Sequence, residues 1–462
     1  MKGIMLGVLV MGAGCLVMGD GGSALGAQTP SPTTQHPSPV TIDFDAAIAI
    51  ALKQNLTIKQ AQNAADLSSA SVTQAKMSFL PDLRLSVTNG LDVGRNFSQT
   101  EGRIVEQTSN SMSTGVSTGV TLFDGFRNVA NLSSAKASES ASEQDLARAR
   151  QTVVFTVATN FVALVAQQEQ LRVQQENLRA QELQQEQIET YVKVGSRPIS
   201  DLYQQQATTA SAKVSVVEAQ RALDLAKVDL IQTLQLDPAS EYNFVAPKVD
   251  DAAAANRSFD LAALVDKALK NRSDLDAQEL RVEAADQGVR AAEASKWPSI
   301  SLSAGYNTAY NSATDAPLAD QLNERRGGSI GIGVSIPLFD RGATSVAAQR
   351  AQIQEENARL ELQKQRQQVS LDIRRAYLDY RAAQERLKAA EAQKAAADAA
   401  VEATQARYRV GAATLVELAQ SRSQQVQAAS GQVNARYNLV FQDALMAYYT
   451  GELEPASLSV GN

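Results

Sequence analysis

Cysteine and histidine are almost missing from this chain of 462 residues: the only Cys is Cys15 and the only His is His36. Both precede the part that reads as folded. That part therefore has no thiol nucleophile, no imidazole base and none of the usual zinc ligands. Carboxylates remain, but no paired-carboxylate motif stands out, no cofactor motif is present, and the chain reads as a non-enzyme. Aromatics are scarce as well, at 5%, which argues against a large compact core. Ala and Gln are abundant, which suits long, closely packed helices. No basic excess exists either. The formal net charge is −7 with both signs interspersed, which speaks against a nucleic-acid partner.

Long apolar runs are also lacking. The longest follows Lys2, from Ile4 to Met18, and gives way to the small residues Ser23, Ala24, Gly26 and Ala27. It is too short and glycine-rich for a membrane anchor and has the order of a secretory signal peptide, assigned to residues 1–27 with cleavage near Ala27. Lipidation at Cys15 is the alternative: Gly12, Ala13 and Gly14 supply the small residues, but the usual Leu ahead of them is absent. Residues 28–42, rich in Pro, Ser and Thr, read as a flexible leader.

What the chain does have is a duplication. Ala51-Leu52-Lys53-Gln54, Ser78-Phe79-Leu80-Pro81, Leu122-Phe123-Asp124-Gly125 and Tyr191-Val192-Lys193-Val194-Gly195 recur in order. Their partners are Ala268-Leu269-Lys270-Asn271, Ser295-Lys296-Trp297-Pro298, Leu338-Phe339-Asp340-Arg341 and Tyr408-Arg409-Val410-Gly411, about 216 or 217 positions on. Repeat 1 is assigned to 43–236, a linker to 237–258, repeat 2 to 259–453 and a tail to 454–462. Each repeat has the order helix, strand, strand, long helix, helix. The first helix of repeat 1 is expected to run from Asp43 or Asp45 to Phe79. Pro81 and Pro298 end the first helices, since proline lacks an amide hydrogen and disfavours helix in the residue before it.

After each of these prolines the period becomes two. Leu83, Leu85, Val87, Leu91 and Val93 alternate with Arg84, Ser86, Thr88 and Asp92; Val116, Val120 and Leu122 alternate with Ser117, Gly119 and Thr121. In repeat 2, Ile300, Leu302, Ala304 and Tyr306 alternate with Ser and Gly, as do Ile330, Ile332, Val334 and Ile336. Strands of roughly ten such residues suit a transmembrane β-barrel with a wet lumen, although a half-buried soluble sheet would show the same alternation. Polar segments 95–111 and 311–326 are expected as outer loops. Phe79, Phe123, Trp297 and Phe339, at the strand–helix junctions, fit an aromatic girdle. Asp124 and Asp340 are placed to cap the helices that follow.

The long helices are expected over 126–194 and 343–410, about 100 Å each, without proline. Val157, Leu164, Leu171 and Leu178 recur every seven residues, the coiled-coil spacing. The flanking helices are half as long, so two of them end to end match one long helix and make a rod.

These ordered, duplicated segments, together with Gln442-Asp443-Ala444-Leu445 and Tyr449-Thr450-Gly451-Glu452-Leu453, resemble the TolC-like outer-membrane efflux proteins over nearly the whole chain from Val40. The resemblance implies a mainly α fold with transmembrane β: four barrel strands per chain plus long antiparallel coiled-coil helices. In the homotrimer these form a 12-stranded β-barrel continued by an α-helical barrel. The sequence separately calls for an oligomer, because four strands cannot close a barrel and open edges in lipid leave amides unpaired. The implied place is the bacterial outer membrane, reaching into the periplasm. The implied role is the passive exit duct of a tripartite efflux pump or a type I secretion system. The implied partners are a periplasmic adaptor (membrane fusion protein) and an inner-membrane pump or ABC transporter. A periplasmic coiled-coil adaptor or a structural scaffold is the alternative, but neither accounts for the duplicated strands.

By the same resemblance the periplasmic entrance lies at the hairpin tips, with turns at Gly195 and Gly411. Tyr408 matches the family's tyrosine, Asp201 its aspartate with Ser200 beside it, and Glu417 its first acid. Gln420 stands at the second acidic position and Ala413 where a gate arginine belongs. Arg197, at the equivalent place in the other repeat, is expected either to substitute, reaching Glu417 or Asp201, or, standing just before Pro198, only to decorate the turn. Three copies of Glu417 would form a cation-favouring ring.

Overall fold

The computed structural model describes residues 40–98, 102–245 and 257–452. The expected signal peptide, Cys15, His36, most of the leader, the middle of the linker and the tail lie outside the described residues.

The chain opens with β1 (Val40–Asp43), α1 (Phe44–Gln54) and α2 (Leu56–Met77). The strands β2 (Asp82–Ser98) and β3 (Arg103–Phe123) follow, then the helices α3 (Arg127–Lys193) and α4 (Ile199–Leu234). After β4 (Tyr242–Val245) the order returns: α5 (Leu261–Asn271), α6 (Ser273–Glu293) and β5 (Ser299–Asn311). It ends with α7 (Leu318–Glu324), β6 (Gly327–Ser335), α8 (Ala343–Arg409) and α9 (Leu415–Tyr449). The two long helices, α3 and α8, have 67 residues each, about 100 Å.

Each expected first helix is two helices. Asn55 divides α1 from α2: its carboxamide oxygen accepts from the Thr57 amide at 2.9 Å, an N-cap that starts a new helix. Its Nδ2 donates to the Thr233 carbonyl at 3.1 Å, and Asn160 Nδ2 reaches Thr233 Oγ1 at 2.7 Å. The start of α2 thus abuts the end of α4 on the flank of α3, the collinear joint that the helix lengths require. Arg272 makes the corresponding break between α5 and α6. The first helix of repeat 1 ends at Met77 rather than Phe79, with Ser78 Oγ donating to the Ala75 carbonyl at 2.6 Å.

Two segments expected as leader and linker contribute structure. Residues Val40–Asp43 pair in parallel with Tyr242–Val245, and this ribbon buries Ile42 and Phe244 against Phe44 and Phe161. β-branched and aromatic side chains outweigh the polar composition around them.

The four longer strands form one antiparallel sheet in the order β2-β3-β5-β6. Leu85 pairs with Val116, Val116 with Tyr306, and Ala304 with Ile330, so one face is apolar. Ser86, Gly115, Asn307, Ser303 and Gly331 occupy the other face. The segment 95–111 is not a long loop: β2 and β3 stay in register out to Ser98 and Arg103. Polar Gln107, Thr108 and Ser109 sustain the ladder because backbone pairing does not need apolar side chains. The second expected loop holds α7, where the buried Gln321 donates to the carbonyls of Ala316 and Asn311 and accepts the Asn311 amide. At the strand–helix junctions Asp124 accepts from the Asn128 amide at 3.0 Å and Asp340 from the Thr344 amide at 2.7 Å. Trp297 and Phe339 are exposed there.

Candidate functional site at the hairpin tips

The site is set by two turns of the same construction. At the end of α3, Gly195 takes φ +73°, the Ser196 amide donates to the Tyr191 carbonyl at 2.9 Å and the Gly195 amide to Val192 at 3.0 Å. At the end of α8, Gly411 takes φ +77°, with Ala412 donating to Arg407 at 2.8 Å and Gly411 to Tyr408 at 3.1 Å. Both are Schellman closures, in which a left-handed residue, cheapest as glycine, satisfies the last helical carbonyls. Pro198 then begins α4 without a side-chain cap. The helix α9 begins with a capping box: Thr414 accepts from the Glu417 amide while the Glu417 carboxylate reaches back to Thr414.

Packing brings the two tips together through a small apolar cluster of Ile188, Tyr408, Ala413, Leu415 and Leu418. Tyr408 is 3% exposed and its hydroxyl has no partner among the described residues. Burial, then Asp201, push its phenol above the ordinary range, opposed by Arg197. The Arg197 guanidinium lies 4.5 Å from the centroid of the Tyr408 ring and donates to the Tyr408 carbonyl at 3.2 Å. The expected reach of Arg197 to Glu417 or Asp201 is therefore not made within a protomer. Arg407, one turn before Gly411, faces Glu417 instead, at 3.5 Å, and donates to the Ala412 carbonyl at 3.0 Å. Asp201 is half-buried in the first turn of α4 and makes no direct bond to Tyr408. Ser200 and Gln420 are exposed. Pro81 and Pro298 are far from this site in sequence and stand at the helix-to-strand breaks.

Two further residues join the hairpins, and neither was marked by its sequence. Arg422, 8% exposed on α9, donates to the Ala180 carbonyl at 3.1 Å and to Gln184 Oε1 at 3.3 Å on α3. Gln170 donates to the Ser430 carbonyl at 2.9 Å and to Asn434 at 3.1 Å. A seven-residue pattern of apolar residues gives no hint of a buried polar side chain, so only the packing finds them. Among the described residues no group of His, Cys, Asp and Glu is placed to hold a metal. Chemically, the tips offer a cation–π contact, an ion pair and a small apolar cluster between helices, with no group set up for bond chemistry among the described residues.

The sequence profile of a family described as outer membrane efflux protein matches the chain twice, at residues 47–234 and 264–451. The outer membrane efflux protein BepC of Brucella suis is 22% identical over 322 residues, covering 68% of this chain and 64% of that protein. The outer membrane protein TolC of Vibrio cholerae is 24% identical over 290 residues, 62% of this chain and 63% of that one. The chain thus spans just under two thirds of these curated relatives. Among solved structures, the outer membrane protein VceC of Vibrio cholerae superposes with a TM-score of 0.75 at 18% identity, over 88% of this chain and 96% of that one.

Proposed function

Since the chain belongs to the outer membrane efflux protein family, we propose that three copies close a twelve-stranded barrel continued by helical rods. This assembly is a passive exit duct through the outer membrane, where the family resides. The observation that carries this reading is the bare sheet. Leu83, Leu85, Ile330 and Ile332 are all at least 69% exposed on its apolar face, and its outer strands β2 and β6 have no further neighbour among the described residues. Lipid suits the apolar face, and edge-to-edge pairing with other copies suits the open ladders. The facing wall of Ser, Gly and Asn suits a wet lumen. The rods carry the same message, since Val346, Ile353 and Leu360 recur every seven residues on α8 and stay exposed in one protomer.

The duct receives its cargo at the hairpin tips, from a periplasmic adaptor and an inner-membrane pump. Efflux is favoured over protein secretion because the matching family and the relative BepC are both named for efflux. The chemistry is transport without catalysis. Reconstitution of the purified protein in planar bilayers tests the duct: discrete conductance steps are expected, and a current at the bare-lipid level contradicts it.

A further inference from the structure

The apolar core of the rods stops short of the tips. Around the helix junctions it includes Val157, Leu164 and Leu171 of α3, Leu387 of α8 and Leu439 of α9. It resumes as the separate tip cluster around Ile188, Tyr408 and Leu418. Between Leu171 and Ile188 the buried side chains of α3 are Gln181 and Gln184. From α4 come Gln205 and Thr209, and from α9 comes Arg422. Gln205 Nε2 donates to Gln181 Oε1 at 2.9 Å and to its carbonyl at 3.2 Å. Val401 of α8 is a buried apolar side chain that lines the same level beside Arg422, so a mainly polar, hydrogen-bonded layer separates the tip cluster from the rod core.

Such a layer weakens packing but tolerates rearrangement, because long amides re-pair after small shifts, whereas interdigitated apolar side chains do not. Space exists for movement: a groove of about 470 Å³ between α3, α8 and α9 is lined by Asn177, Ala180, Val401, Arg422 and Gln425. Arg422 itself is out of balance. Its acceptors are neutral, and no carboxylate pairs with it among the described residues. Asp398 is engaged by Lys394 and Gln425, both at 2.8 Å, and Glu176 by Arg172 at 3.1 Å. A buried guanidinium with neutral partners loses more hydration than those bonds return, and burial draws its pKa down accordingly. Any movement that parts α9 from α3 rehydrates it.

We propose that this polar layer is the hinge on which the tip cluster turns, and that Arg422 is its positioning residue, biasing the tips toward opening. The proposal rests on the reading that the tips are the entrance. Arg197 ties the two tips together through Tyr408, and the buried charge of Arg422 works against that tie.

The test uses the full-length assembled protein with spin labels on Val410→Cys, read as tip-to-tip distance, alongside resting conductance. Arg422→Met is expected to shorten the distance and to lower the open-to-closed ratio roughly five- to thirtyfold, the span that a change of one or two kcal/mol produces. Arg422→Lys keeps the charge and is expected to stay near the wild type. Arg422→Met with Gln184→Leu leaves no orphaned amide and is expected to be at least as closed. This double variant decides the matter where the single one fails to assemble. An unchanged or longer distance in the assembled apolar variants overturns the proposal. A shorter distance with unaltered conductance upholds the hinge and removes the entrance from the tips.

Discussion

Arg197 stacks on Tyr408 across the two hairpins, its guanidinium carbon 4.5 Å from the ring centroid and one nitrogen 3.2 Å from the Tyr408 carbonyl. This joins the turn after α3 to the last turn of α8, so the tips of the two repeats cannot separate without breaking it. A cation–π contact of this kind contributes about 0.5–2 kcal/mol, more when desolvated. Arg197→Ala is expected to raise resting conductance in bilayer recordings, and Arg197→Lys to raise it less. Its sign is opposite to that of Arg422→Met, and an Arg197→Ala channel as tight as the wild type contradicts the latch.

Glu417 is less free to act as a charged ring than its position in the sequence suggests. It closes the capping box with Thr414 and faces Arg407 at 3.5 Å, so its charge is partly offset. Glu417→Ala is expected to lower cation preference modestly, and Arg407→Ala to raise it, as measured by reversal potentials in a salt gradient. Equal reversal potentials in all three proteins contradict this assignment. Thr414→Ala removes the cap itself and is expected to cost about 0.5–2 kcal/mol of stability.

Glycines at the turns differ in what they permit. A Cβ on Gly125 would stand 2.8 Å from the Trp297 Cβ and collide with the Ala294 carbonyl, at φ +71°. Gly195 and Gly411 have open space around them, and only their positive φ opposes a side chain. Gly125→Ala is expected to abolish assembly, while Gly411→Ala costs about 1–2 kcal/mol. Heat stability of the oligomer on gels separates the two, and equal losses contradict the reading.

Acid should weaken the joint between the rods. Burial alone would raise the Asp274 pKa, but hydrogen bonds and charge from Arg272, with Arg148 adding its charge, hold it below the usual carboxylate range. Arg272 binds this carboxylate at 3.0 and 2.6 Å. A depressed folded-state pKa means that the stability is present above the unfolded value, about 3.9, and is lost as pH falls through the folded one. Asp274→Asn is expected to destabilise by about 3 kcal/mol at pH 7, with the deficit shrinking below about pH 4. A deficit independent of pH contradicts the pairing.

Much of this architecture is legible from the chain alone. Pro81 and Pro298 mark the change from helix to strand because proline acts locally, and 67-residue helices announce themselves by an uninterrupted pattern. The breaks at Asn55 and Arg272 are harder to see, since neither residue forbids a helix. Asn55 interrupts it only because Thr233 and the Thr57 amide are there to bond. The pairing of Val40–Asp43 with Tyr242–Val245 is hidden by some 200 intervening residues. At the tips, the family resemblance points to Tyr408 and Glu417, and the repeat offset to Arg197, but which arginine meets which partner depends on side-chain direction. Arg407 takes Glu417 because it lies one turn before the closure of α8, facing the first turn of α9.

The central claim, that the bare four-stranded sheet is one third of a closed barrel, is tested most directly by native mass spectrometry of the mature protein extracted from outer membranes in detergent. A single species of three chains, converting to one chain on heating, is the predicted result. A monomer in unheated detergent extract, or a dimer, would leave the edges of β2 and β6 unpaired or force another closure, and would contradict the account.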